Sequence, residues 1–156
     1  MRIFIAYSLG QTDQHVASLL AQQAQAKGFE VDSTPHAKPW DSVPTQNINQ
    51  SLLAADVVIA IVSKDSPNIA TARHELNAAV NLKRPVIALV ERGTAAFIPI
   101  PGLPYVEFDR YDPGPALASI GQNLETHRSK QNLGGWIVVG GLAVLALYLL
   151  SNEDKP

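Results

Sequence analysis

Two six-residue stretches of this chain, VVIAIV at 57–62 and PVIALV at 85–90, contain no polar side chain. A strand with one wet face alternates apolar and polar residues, so a strand apolar throughout has both faces covered. Between them lies 70–82 (ATARHELNAAVNL), a helical segment. Strand, helix and strand in succession form the crossover unit of a parallel sheet. The rest of the first 130 residues follows suit. Residues 2–7 (RIFIAY) read as a strand, and 13–27 read as a helix with Val16, Leu19, Leu20 and Ala24 at helical spacing. Gly28 sits where a helix-terminating glycine belongs. Residues 29–33 alternate as a second strand, and 34–44, with three prolines, form a loop. A helix at 45–54, an edge strand at 105–108 and a last helix at 113–126 complete the pattern. Five strands alternating with helices predict a doubly wound α/β sheet, with 57–62 in its middle.

The C-terminal end obeys a different rule. Residues 133–150 (LGGWIVVGGLAVLALYLL) run for 18 positions without a charge. As a helix they would extend ~27 Å, close to the ~30 Å hydrocarbon core of a bilayer. A core helix of this length would carry a polar stripe, and this run has none. Trp136 and Tyr148 stand near its ends, where amphipathic rings meet headgroups. Arg128 and Lys130 precede the run, and Lys155 stands with Glu153 and Asp154 after it. The positive-inside rule then predicts a single-pass protein of the cell membrane with its N-terminal domain in the cytoplasm. The N-terminal apolar run is too short for a signal peptide. The expected organisation is a domain at 1–128, a linker at 129–132, a transmembrane helix at 133–150 and a tail at 151–156.

Composition narrows the function. Twelve basic residues against 14 acidic give a net charge of −2, which argues against a nucleic-acid binder. With no cysteine there is no disulfide, thiolate metal site or cysteine nucleophile. His15, His36 and His127 are too scattered for a metal centre, so none is expected. In a doubly wound sheet the binding crevice lies beyond the carboxyl ends of the strands. That singles out the loops at 7–12, 34–44 and 63–69. The first has a single glycine, Gly10, and lacks both GxGxxG and the Walker A pattern, so a Rossmann-type phosphate cradle is not expected.

IFIAYS at 3–8, AADVVIAIVSKDSPN at 54–68, and ARHELNAAV at 72–80 followed by RPVIALV at 84–90 together resemble the TIR domain. The resemblance covers about residues 1–127. It departs from the family at Thr71 and Ala72, where Trp-Cys is usual, and at Ala6, where Ser is commoner. It implies a flavodoxin-like doubly wound five-stranded parallel sheet, here joined to one C-terminal transmembrane helix. It also implies self-association and a role in immune signalling, in bacteria against phage. In TIR enzymes the Glu of a Glu-Leu pair cleaves NAD at the nicotinamide–ribose bond, and here that residue is Glu75. NAD would be a substrate, with no further cofactor. Tyr7 and Ser8 at the crest of strand one, Ser63 after strand three and Trp40 on the second loop are the candidate NAD-binding residues.

One carboxylate suits this chemistry. Nicotinamide leaves as a neutral molecule, so no acid need protonate it, unlike the leaving group of an O-glycosidase. The carboxylate can hold the ribose hydroxyls and stabilise developing positive charge. Outside the family pattern, Glu75 would read as a solvated helix residue and Trp40 as a loop anchor. Two other functions stay open. One is a non-catalytic TIR adaptor. The other is a nucleoside 2′-deoxyribosyltransferase-like enzyme, whose motif is faintly echoed by Asp65-Ser66.

Overall fold

The computed structural model describes residues 1–7, 10–32, 46–65, 79–94 and 105–129. Its elements are β1 (Arg2–Ala6), α1 (Gln11–Ala26), β2 (Glu30–Asp32), α2 (Gln46–Ala54), β3 (Val57–Val62), β4 (Val86–Glu91), β5 (Tyr105–Phe108) and α3 (Gly114–Ser129). Residues 79–81, at the end of the helix expected over 70–82, are helical. The strands form one five-stranded sheet in the order β2-β1-β3-β4-β5, with every neighbouring pair parallel. Each expected strand is present, displaced by a residue or so at its ends. The last helix runs on to Ser129, so the first residue of the expected linker is helical. Residues 133–150 lie outside the described residues, among which no helix is long and apolar enough to cross a membrane.

Every residue of β3 and β4 is buried, which is why both read as unbroken apolar runs. The alternation hidden in those runs sorts residues by size. One face of the sheet carries Ile3, Ile5, Val57, Ile59, Ile61, Ile87 and Leu89 against Val16 and Leu20 of α1 and Ile120 and Leu124 of α3. The other carries Phe4, Ala6, Val58, Ala60, Val62, Val86, Ala88 and Val90 against Leu52 of α2 and Ala79. On this second face Ala6, Ala60 and Ala88 stand side by side across three strands. At the amino edge Asp56 closes β1 onto β3: its carboxylate accepts the Arg2 N–H at 2.7 Å, and its own N–H donates to the Arg2 carbonyl at 2.8 Å.

Candidate functional site

The order β2-β1-β3-β4-β5 reverses direction between β1 and β3, so the crevice expected of such a sheet opens beyond the carboxyl ends of those two strands. Tyr7 follows β1 there, and Ser63 follows β3. Tyr7 is half-buried against the isoleucine-rich face, and that burial pushes its phenol pKa up. Ser63 is buried, and its Oγ accepts the Asp65 N–H at 3.1 Å, which turns the chain as it leaves β3.

A charged network holds this edge together. Glu91 ends β4 and is 3% exposed. Its carboxylate takes the Arg110 guanidinium in a forked grip, Nε to Oε1 at 2.7 Å and Nη2 to Oε2 at 3.1 Å. It also accepts the Lys64 N–H at 2.8 Å. Arg110 Nη2 reaches on to Asp65 Oδ1 at 3.2 Å. Asp65 Oδ2 accepts from both the N–H and the hydroxyl of Thr12. The segments following β1, β3 and β5 are thereby tied to the end of β4. The hydrogen bond from Thr12 pulls the Asp65 carboxyl below the usual range, and the one from Arg110 does so for Glu91. Those carboxylates in turn push the Arg110 pKa up.

Gly10 completes the fit. A Cβ there would lie 2.6 Å from the Asp65 carbonyl oxygen, so the segment after β1 can approach the one after β3 only with a hydrogen at that position. The lone glycine of this loop thus serves a backbone contact between two loops. Beside the network opens a cleft of about 440 Å³ lined by Lys64, Asp65, Glu91, Arg92, Asp109, Arg110 and Tyr111. Its charges balance, three basic side chains against three acidic. Tyr111 is 91% exposed at its rim, and its N–H is held by Asp109 Oδ1 at 2.9 Å.

Of the expected binding residues, Tyr7 and Ser63 come together at the carboxyl ends of adjacent strands. Ser8, Trp40 and Glu75 lie outside the described residues. The sequence by itself does not single out Thr12, Glu91 or Arg110, and Asp65 enters it only as part of the faint Asp65-Ser66 echo. Glu91 did leave a signal: a lone carboxylate closing an otherwise apolar strand needs a cation, and Arg110 is the one that folding brings to it.

The fold and site define a parallel α/β domain whose loops meet at the carboxyl edge of its sheet. Within that class the family model described as TIR domain matches residues 3–120, and the chain belongs to that family. No curated protein matches it. Among solved structures, the CMP N-glycosidase of Clostridium botulinum is similar at 17% identity with a TM-score of 0.50, over 77% of this chain and 98% of that one. A putative quinone reductase from Klebsiella pneumoniae is similar at 12% identity and 0.50, over 81% and 84% respectively. Likeness at these identities shows a shared fold.

Proposed function

We propose that this TIR-domain protein cleaves NAD at the nicotinamide–ribose bond, working from the cytoplasmic face of a membrane and producing an NAD-derived signal in antiviral defence. The observation that carries this reading is the family match over 3–120, a span that includes the Glu-Leu pair at Glu75 and Leu76. Glu75 is the carboxylate that steadies the ribosyl cation as neutral nicotinamide departs. Tyr7, Ser8, Ser63 and Trp40 hold the dinucleotide. A nucleotide N-glycosidase has the same fold, so a sheet of this kind is compatible with breaking such a bond. Residues 133–150 anchor the domain, and neighbouring domains complete each other's site through the segment 34–44.

The test is nicotinamide release from NAD by the full chain in detergent or bilayer, beside Glu75→Gln. The substitution keeps the shape and removes the charge. Losing an electrostatic contribution of this kind costs about 10²–10³ in rate. Circular dichroism must show both proteins folded. A wild-type chain that releases no nicotinamide overturns the reading, and a Glu75→Gln variant within a few-fold of wild type removes Glu75 from it.

A further inference from the structure

Helix α3 follows β5 and runs back along the sheet, so it ends at the amino edge. There the Arg128 guanidinium donates to the Lys27 carbonyl at 2.8 Å and lies 4.3 Å over the Phe29 ring, both residues just ahead of β2. Lys27 adds an ion pair to Glu125 at 3.0 Å, so the end of α3 is fixed to that edge. From Ser129 to Leu133 the chain can reach about 14 Å at full extension. The carboxyl edge lies a strand length further, about 20 Å for a strand like β3. Whatever Leu133 enters, the amino edge lies close to it and the opposite edge does not.

The amino edge is made for a particular neighbour. Leu53 and Leu82 are 52% and 37% exposed there. Arg84 Nη2 donates to the Leu53 carbonyl at 2.8 Å, which ties the turn after Leu82 to the end of α2. Among the described residues no carboxylate pairs with Lys83, Arg84 or Arg128, while the other acids of this edge are already engaged, Glu30 by the Arg2 side chain, Asp56 by the Arg2 N–H and Glu125 by Lys27. Exposed leucines among cations without carboxylate partners match the surface of an anionic bilayer. We propose that the amino edge around Leu53, Leu82, Lys83 and Arg84 lies against anionic lipid headgroups, holding the carboxyl edge of the sheet toward the cytoplasm and open to soluble substrate.

This rests on 133–150 being a membrane anchor, and the absence of cysteine makes both claims separately testable. The full chain is assembled into nanodiscs of phosphatidylcholine and phosphatidylglycerol in equal parts, doped with a lipid bearing a headgroup nitroxide. Leu82→Cys and Tyr111→Cys each carry a single fluorophore. The expected result is that the Leu82 label is quenched about threefold more than the Tyr111 label, given the extra strand length between them. Replacing phosphatidylglycerol by phosphatidylcholine should lower the Leu82 quenching about twofold, since charge attraction is then lost. A chain that does not enter the discs overturns the anchor and the orientation with it. An inserted chain whose Tyr111 label is quenched as much as Leu82 overturns the orientation alone. A Leu82 label that is unquenched but blue-shifted marks a protein surface covering this face, such as a second copy. Quenching indifferent to lipid charge overturns the headgroup contact.

Discussion

Glu91 shows how much one side chain can organise. It is buried at the end of a strand, where an unpaired carboxylate would be costly, and three donors meet it: Arg110 Nε, Arg110 Nη2 and the Lys64 N–H. Glu91→Gln keeps the shape but turns an amide toward the guanidinium and halves the grip. It should lower the unfolding free energy by about 2–3 kcal/mol, read by denaturant titration of the full chain. The pH dependence has a definite sign. The folded Glu91 and Asp65 pKa values are depressed, so their contribution is complete above the ordinary carboxylate range and is lost as pH falls through and below it. The gap between wild type and Glu91→Gln should therefore be full at neutral pH and close on acidification below about pH 4. A gap that persists unchanged at low pH would show that Glu91 acts by packing alone.

At the scale of elements, two helix ends make a natural experiment. Helix α1 ends with the Phe29 N–H bonded to the Ala24 carbonyl at 3.1 Å and the Gly28 N–H bonded to the Gln25 carbonyl at 2.9 Å, with Gly28 at φ +83°. The helical turn at 79–81 ends in the same pattern, from Arg84 to Ala79 and from Lys83 to Val80, both at 2.9 Å. There, however, the left-handed position belongs to Lys83, at φ +54°. A side chain in that region is strained, and glycine relieves it. Lys83→Gly should raise stability by about 0.5–1 kcal/mol, and Gly28→Ala should lower it by about 1 kcal/mol. Space is not the reason at Gly28, where an added Cβ would meet only Arg128 Nη1 at an ordinary 3.6 Å. Thermal melts of both variants check the opposite signs. A Lys83→Gly protein that melts lower would mean that the side chain earns more than its backbone strain costs.

For the whole molecule, the consequence of anchoring is a change in concentration. Domains confined to a plane meet far more often than the same number in solution, with no new contact needed. If neighbouring domains complete each other's site, as proposed, the rate per molecule must rise with surface density. Full chain reconstituted in vesicles at a hundredfold range of protein-to-lipid ratio should gain about tenfold in specific activity for NAD. A rate per molecule that stays flat, with single copies counted by photobleaching at every density, would make each domain self-sufficient and the anchor a matter of address.

Strands β3 and β4 are legible because burial on both faces removes polar residues from the chain itself: VVIAIV and PVIALV admit little else. The C-terminal glycine of α1 was legible because its backbone conformation depends on its own residue type. The family was legible from motifs that match along the chain. What stayed hidden was every feature made by residues distant in sequence. Glu91 and Arg110 are joined through a turn after β5, Thr12 and Asp65 through the parallel pairing of β1 with β3, and Gly10 is required only because Asp65 lies beneath it. In the sequence Arg128 is a charge flanking an apolar run, yet in the fold it also closes the end of α1. A sequence records what each residue needs of its own surroundings, burial or polarity, helix or turn. Which partner meets that need is decided by strand order and register, which bring together groups that the chain keeps far apart.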